Sequence, residues 1–274
     1  MIDYMNHINR LFSSIQSRFI QPWQQSHFEK TTYGKRIACY KNKYVGQRCF
    51  IVANGPSLRA EDLELLHNRG EITFGMNRIY KLFDQTQWRP TFYVCEDEMI
   101  ANGQQAEINA LEAQEKFIPI EICWWHDVKI ENACYFHLNY VEKERFPFGF
   151  STDCAHQIDC RGTVTCSCMQ LAAYMGFKEI YLLGVDHNYQ KTIDINGNVV
   201  VDPNAKDYFC EGYDSDIKEI VVHDMGNNTR AYMDAKKYCD STAGKTTIYN
   251  ATRGGKLEVF PRVSFDTVME QNLK

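Results

Sequence analysis

Polar residues stand at the ends of several apolar runs in this sequence, where their side chains could contact a phosphorylated ligand. The first set, Asn54-Gly55-Pro56-Ser57, follows the apolar run Phe50 to Ala53 and precedes leucines at helical spacing. A strand, a tight turn and a helix are predicted there, and the free N–H groups of such a turn suit a phosphate. The turn matches neither GxGxxG nor GxxxxGK[ST], the fingerprints of dinucleotide-binding dehydrogenases and P-loop ATPases. An ordinary turn is the alternative.

Polar residues also end three other predicted strands. Asn77 ends the second strand, Glu96-Asp97-Glu98 the third, and Asp186 the run Glu179 to Val185. Ligands of parallel sheets bind outside the carboxyl ends of the strands, so we expect these side chains to converge on the first turn. An asparagine amide offers a donor and an acceptor to ribose, base or phosphate. Carboxylates at Glu96 and Asp97 suit Mg²⁺, and a solvated acidic turn is an equal alternative.

His223 is the candidate general base. It follows an apolar run and precedes Asp224, at the far edge of a long polar segment. The unperturbed pKa of histidine lies near working pH, so its imidazole can take a proton from a hydroxyl group. The chain has 8 histidines, and a structural role for His223 is the alternative.

The composition excludes several classes of protein. A net charge of −5 argues against a nucleic-acid-binding surface. The sequence has no apolar run long enough to span a membrane, and its first residues lack the apolar core of a signal peptide, so we expect a cytoplasmic protein. The 11 cysteines include no CxxC pair, which favours buried reduced thiols over a zinc or iron–sulfur site.

The elements that would position these residues alternate along the chain. We predict a single α/β domain over residues 45–274, Rossmann-like and doubly wound, with a mainly parallel sheet. A polar stretch at about 187–222 carries turn signals but no periodicity, and is predicted to be a lid. The predicted strands lie near residues 50–53, 72–76, 91–95, 117–122, 134–138, 179–185 and 246–249, and the predicted helices include 101–114, 163–174 and 227–239.

Residues 1–44 form a predicted N-terminal amphipathic helix and a lead-in to the domain. Apolar residues recur at helical spacing from Ile8 to Trp23, with Arg10 and Arg18 among the polar positions. We expect this helix to pack against the domain or another subunit, and we expect a homo-oligomer. The alternative is peripheral contact with the inner face of the cytoplasmic membrane.

The ordered motifs resemble those of the bacterial family-42 sialyltransferases. The resemblance extends to a wider family that includes motility-accessory proteins and hydroxymethylpterin diphosphokinase-like enzymes, and covers roughly residues 45–260. The matching segments are Asn54–Leu58, Met76-Asn77, Arg161 with Thr163, Lys178–Asp186, and His223 followed by the helix at 227–238.

The resemblance implies a GT-A-like glycosyltransferase that needs no metal or other cofactor. Its donor would be a sialic acid or related nonulosonate activated by cytidine monophosphate (CMP), and its acceptor a glycan hydroxyl in surface polysaccharide or glycoconjugate synthesis. His223 would take the acceptor's proton, with inversion at the sugar, and Arg161 would neutralise charge. The residues that would bind the donor are Asn54, Gly55, Pro56, Ser57, Asn77, Thr163, Thr165, Asp186 and Tyr189.

Several positions depart from the sialyltransferase pattern. Val164-Thr165 replaces a Ser-Gly pair, and the first lid tyrosine of that family falls on Asn188, one residue before Tyr189. Glu96-Asp97 is closer to the wider family, whose diphosphokinases would use Mg²⁺ and ATP. The alternatives are therefore a Mg²⁺-dependent diphosphokinase of the hydroxymethylpterin type and a non-catalytic accessory protein.

Overall fold

Eleven strands lie in the part of the chain that the structure describes. The computed structural model describes residues 16–126, 128–140, 147, 149–160, 162–194, 197–215, 222–241 and 245–270. The strands are β1 (Arg48–Val52), β2 (Thr73–Met76), β3 (Phe92–Val94), β4 (Glu115–Pro119), β5 (Cys134–Phe136), β6 (Leu138–Tyr140), β7 (Ile158–Cys160), β8 (Glu179–Leu183), β9 (Lys191–Ile193), β10 (Val199–Val201) and β11 (Thr247–Asn250).

Helices cover both faces of the sheet. The α-helices in the described ranges are α1 (Gln21–Ser26), α2 (Thr32–Ala38), α3 (Ala60–Asn68), α4 (Glu98–Gly103), α5 (Gln105–Ala110), α6 (Ile120–His126), α7 (Val164–Tyr174), α8 (Met225–Ser241) and α9 (Phe265–Glu270). A π-helical turn spans Gln16–Ile20, and 3₁₀ turns span Phe28–Lys30 and Ile79–Leu82. None of these helices has the length and apolar character needed to cross a bilayer.

Seven strands form one sheet in the order β11-β8-β1-β2-β3-β4-β5, and every pair is parallel. The sheet has a hydrophobic cluster on each face. Both faces are therefore covered, which explains why β1 and β8 are nearly continuous apolar runs. The predicted doubly wound α/β fold with a parallel sheet is confirmed. The strand order reverses between β1 and β8, so a ligand crevice is expected at their carboxyl ends.

The residues just before β1 belong to the packed core. Phe28, Ile37 and Tyr40 are buried in one of the two hydrophobic clusters. The Arg36 guanidinium donates to Glu115 of β4 at 2.7 Å, and the Tyr40 hydroxyl donates to the same carboxylate at 3.0 Å. The core therefore starts before the predicted domain boundary at residue 45. Of the predicted N-terminal helix, residues 1–15 lie outside the described ranges.

Two predicted elements have other boundaries in the structure. The strand predicted over 117–122 ends at Pro119, and α6 begins at Ile120, because proline has no N–H with which to continue the strand ladder. The helix predicted over 101–114 begins at Glu98, since the Asp97 side chain accepts from the Ile100 N–H at 3.0 Å and caps it. It then breaks at Gln104 and ends at Ala110.

Part of the predicted lid is a β-hairpin. β9 and β10 pair antiparallel, so this part of the stretch at 187–222 has regular structure. The side chains of β10 are about half exposed, with fractions of 57%, 48% and 55% along Val199–Val201. The hairpin is too short to produce a periodic signal in the sequence, which is why it was not predicted.

Candidate functional site

A cavity of about 640 Å³ lies at the carboxyl ends of the parallel strands. Its wall comes from the residues after β1, β2, β3 and β8, the start of α7, the lid and the start of α8. Ten of the predicted site residues line it, namely Asn54, Gly55, Asn77, Glu96, Asp97, Thr163, Thr165, Asp186, Tyr189 and His223. Pro56 and Ser57 do not, and Arg161 lies outside the described residues. The structure therefore brings together most of the predicted site.

Ser57 contacts Asp186 rather than the cavity. Its hydroxyl donates to Oδ2 of Asp186 at 2.8 Å, and its N–H donates to the same oxygen at 3.3 Å. The N–H of Gly55 donates to the carbonyl of Gly184 at 2.9 Å. Burial raises the pKa of Asp186, while the bonds from Ser57 act to lower it. Asp186 therefore connects the turn after β1 to the turn after β8, and the two turns together form the bottom of the cavity.

Two asparagines present amide oxygens without partners. Nδ2 of Asn54 donates to the Met76 carbonyl at 3.1 Å, which fixes the orientation of its amide. Asn77 has a φ of 48°, a left-handed conformation that asparagine tolerates well. Oδ1 of each is buried and has no hydrogen-bond partner in the described part of the chain. A buried polar atom without a partner is uncommon, so both oxygens are candidates for ligand binding.

His223 lies on the lid side of the cavity. Its backbone N–H donates to the Lys191 carbonyl at 3.0 Å, and its carbonyl accepts from the Ile193 N–H at 3.1 Å, so β9 holds it. Its ring stacks on Tyr189 with centroids 3.8 Å apart. Burial lowers the pKa of His223, and the charge of Asp207 acts in the opposite direction. Nε2 is buried without a partner among the described residues. A neutral imidazole with a free nitrogen is what a general base requires.

His187 also lines the cavity and was not predicted as a site residue. It is 6% exposed, and its φ of 50° is uncommon for a residue other than glycine. Nε2 lies 2.9 Å from the Thr229 hydroxyl, and Nδ1 is buried without a partner in the described ranges. Burial lowers the pKa of His187. Its one sequence signal is its position directly after Asp186, at the end of a strand.

The amino end of α7 supplies positive electrostatic potential. Thr163 is its N-cap, and the side chain accepts from the Thr165 N–H at 3.3 Å. Residues 162–165 line the cavity. The first N–H groups of a helix carry partial positive charge and suit an anion. The Thr165 hydroxyl donates to Sδ of Met76 at 3.7 Å, so Thr165 also connects α7 to the end of β2.

The rest of the wall is acidic. No lysine or arginine is among the described lining residues, whereas six carboxylates line the cavity, namely Glu96, Asp97, Asp186, Asp207, Asp214 and Asp224. Some have structural contacts: Asp97 caps α4, and Asp224 accepts from the N–H of Asn227 at 2.9 Å near the start of α8. No three His, Cys, Asp or Glu residues in the described ranges are placed to hold a metal ion by themselves.

Residues 207–214, here called the base of the lid, are held over the cavity by hydrogen bonds. The Phe209 N–H donates to the Asn54 carbonyl at 3.1 Å, which ties the lid directly to the first turn. Tyr213 is buried, its hydroxyl accepts from the Arg78 N–H at 3.1 Å, and its carbonyl accepts from Lys81 at 2.9 Å. The base of the lid therefore contributes to one wall of the cavity, and the exposed strand β10 lies outside that wall.

The two cavity histidines predict a pH-dependent stability. Burial lowers the pKa of both His187 and His223 from 6.5, so below about pH 6.5 the unfolded chain binds protons that the folded chain excludes. The free energy of unfolding should therefore fall as the pH is lowered from about 7.5 to about 6. Urea titrations at several pH values measure it, and the fall should be smaller in His187→Gln. An equal fall in that variant would contradict the prediction.

Comparisons with known proteins agree with this architecture. A model of the family described as 6-hydroxymethylpterin diphosphokinase MptE-like matches residues 25–192. The structure of the MAf glycosyltransferase from Magnetospirillum magneticum AMB-1 matches with a TM-score of 0.51 and 17% sequence identity. The match covers 88% of this chain and 38% of that chain, so this chain spans well under half of the neighbour's length. No curated protein matches the sequence. At this identity the structural likeness concerns the fold.

Proposed function

Because the chain belongs to the 6-hydroxymethylpterin diphosphokinase MptE-like family and shares its fold with a glycosyltransferase, we propose that it is a glycosyltransferase. The observation that carries this proposal is Nε2 of His223, a buried atom with no hydrogen-bond partner among the described residues, in a cavity at the point where the strand order reverses. A general base beside the crevice at the carboxyl ends of the strands can remove a proton from the hydroxyl group that attacks the donor.

The reaction would be a single displacement. With the ring proton on Nδ1, the lone pair of Nε2 in His223 takes the hydrogen of an acceptor hydroxyl. The hydroxyl oxygen forms a bond to the anomeric carbon of the donor sugar as the bond from that carbon to the phosphate oxygen breaks. The electron pair leaves with the nucleotide, and the configuration inverts. The lowered pKa of His223 keeps the base unprotonated near neutral pH.

The donor would lie across the strand ends. Asn54 and Asn77, which line the cavity, would bind the nucleoside, and the amino end of α7 with Thr163 would face the phosphate. Arg161, next to the lining residue Gly162, would add positive charge there. We favour a CMP-activated sialic acid or related nonulosonate as the donor and a glycan hydroxyl as the acceptor. The base of the lid would exclude water, which otherwise hydrolyses such donors.

A second candidate is a Mg²⁺-dependent diphosphokinase. The acidic lining favours it, because Mg²⁺ is usually bound by one or two carboxylates together with substrate phosphates. Glu96 and Asp97 would supply these carboxylates. The enzyme would transfer the terminal diphosphate of ATP to a hydroxymethyl group, and His223 could take the proton of that group as well.

Calorimetric titration with CMP and with ATP, each with and without Mg²⁺, separates the two candidates. We expect CMP to bind without Mg²⁺, since the amide oxygens of Asn54 and Asn77 and the amino end of α7 are protein groups that need no metal. Asn77→Ala should weaken this binding by about tenfold, because it removes one direct contact. Binding of ATP alone, and only with Mg²⁺, would overturn the glycosyltransferase proposal.

The accessory-protein alternative has its own test. A chemically competent site should release CMP slowly from a CMP-activated sialic acid even when water is the only acceptor. CMP release that depends on His223 would exclude a purely non-catalytic role. Donor binding without any release, with or without a glycan acceptor, would support the accessory role.

A further inference from the structure

His187 has a hydrogen-bond arrangement that determines which of its ring nitrogens carries the proton. The Thr229 hydroxyl donates to the Met225 carbonyl at 2.8 Å, and a carbonyl oxygen can only accept. A hydroxyl group has one hydrogen, so Thr229 can only accept from Nε2 of His187, which lies 2.9 Å from it. The ring proton is therefore on Nε2. Burial favours the neutral ring, which leaves an unprotonated lone pair on Nδ1.

The ring of His187 is also held in place from two sides. The Tyr232 ring of α8 lies edge-on to it, with centroids 5.6 Å apart at 81°. The Tyr189 ring of the lid lies edge-on at 6.4 Å. The residue keeps a left-handed backbone conformation, which usually costs free energy in a residue other than glycine. A fixed ring with a buried, unpartnered nitrogen next to a cavity suits a binding residue better than a packing residue.

The chemistry of the neighbouring groups indicates the kind of ligand. Asn54 and Asn77 add two amide oxygens to the same cavity, both acceptors and both without a partner among the residues that the structure describes. A phosphate offers acceptor oxygens only, so it could not form hydrogen bonds with these acceptor atoms and would lie instead at the amino end of α7. A sugar or ribose hydroxyl can donate to each of these atoms. The acceptor atoms of His187, Asn54 and Asn77 therefore match the hydroxyl-bearing part of a ligand.

We propose that His187, held as its Nε2–H tautomer by Thr229, accepts a hydrogen bond at Nδ1 from a hydroxyl group of the sugar nucleotide. This inference deepens the proposed function and rests on it for the identity of the ligand. The Tyr189 ring lies edge-on to His187, so the two rings line the same part of the cavity.

Two substitutions distinguish a role of His187 in ligand binding from a role in packing the protein. His187→Gln places an amide near the position of Nε2 and keeps a donor for Thr229, but removes the acceptor at Nδ1. His187→Asn places an amide oxygen near the position of Nδ1 and tolerates the positive φ. With CMP-activated N-acetylneuraminic acid as the probe, we expect affinity to fall about tenfold in His187→Gln and about threefold or less in His187→Asn. A role through the Nε2–H contact to Thr229 alone would reverse the two losses, because only the glutamine variant keeps a donor there. The melting temperatures of both variants show whether the positive φ of residue 187 destabilises the glutamine variant.

Nitrogen-15 NMR of histidine-labelled protein tests the tautomer without any ligand. We expect the Nε2–H form in the wild type and a mixture of tautomers in Thr229→Val, where the acceptor for Nε2–H is lost. An Nδ1–H tautomer in the wild type would overturn the inference. Donor binding that is equally strong in both His187 variants would overturn it and leave the proposed function standing. If the wild type binds neither CMP nor the donor, both the proposed hydroxyl contact and the proposed function are wrong. The NMR measurement decides the tautomer of His187 independently of that result.

Discussion

Replacement of His223 by alanine is expected to slow CMP release from a CMP-activated sialic acid by about 10²- to 10⁴-fold, the usual contribution of one general base. The reason is the position of Nε2, which is buried without a partner beside the strand ends and is kept unprotonated by burial. The proposed contacts to CMP come from Asn54, Asn77 and the amino end of α7 rather than from His223, so affinity for CMP should change only a few-fold. The measurements are steady-state CMP release and calorimetric titration with CMP.

The matched control is His67→Ala. His67 is exposed in the last turn of α3, away from the cavity, so its loss should leave both CMP release and CMP affinity unchanged. The pH profile gives a second check, because the wild-type rate should fall only below about pH 6.5, where His223 begins to take up a proton. Near-normal CMP release by His223→Ala would mean that His223 is structural.

Replacement of Gly55 by alanine is expected to lower the free energy of unfolding by about 3 kcal/mol, the upper end of the usual range for an overpacked site. A Cβ atom on Gly55 would lie 2.1 Å from Oδ2 of Asp186 and 2.5 Å from the Gly184 carbonyl. Relief requires the turn after β1 to move away from the turn after β8, which would break the bonds from Ser57 to Asp186. The melting temperature should fall by roughly 6 °C or more, measurable by differential scanning calorimetry.

Gly103→Ala is the control for this substitution. Gly103 ends α4, and a Cβ atom there would meet nothing within 4 Å. Alanine is also the better helix former, so this variant should be as stable as the wild type or slightly more stable. CMP binding should be lost or strongly weakened in Gly55→Ala and unchanged in Gly103→Ala. A Gly55→Ala protein of normal stability would show that the two turns can separate at little cost.

The sheet was largely predictable because strands covered on both faces must be apolar along their whole length. After their first, charged residue, Glu179–Leu183 and Arg48–Val52 are such runs, and each pairs with the other in the structure. The three-residue strands β6 and β7 were not predicted, because each has a polar residue at its centre, whereas the equally short β3 and β5 consist mostly of apolar and aromatic residues. The break of the predicted helix at Gln104 did have a signal in the sequence, because Gly103 directly precedes it and glycine has a low helix propensity.

The site was predictable in its location and less so in its details. The rule that ligands bind at the carboxyl ends of parallel strands correctly places Asn54, Asn77 and Asp186 on one cavity. The hydrogen bond between Ser57 and Asp186 joins residues 129 positions apart, and no local pattern predicts it. His187 was missed for a related reason, since its burial and its tautomer depend on Thr229 of α8, far along the chain.

The sheet order also has a consequence for how the chain folds during synthesis. Strands β1 to β5 follow one another along the chain and lie side by side, so they can pair as they leave the ribosome. The second neighbour of β1 is β8, which is made only after a long intervening segment. Until then, β1 is an apolar edge strand whose backbone N–H and C=O groups on one side are unpaired. Such an edge can pair with a wrong strand or with another chain. The ligand crevice forms at this same edge, so it is completed only when β8 arrives.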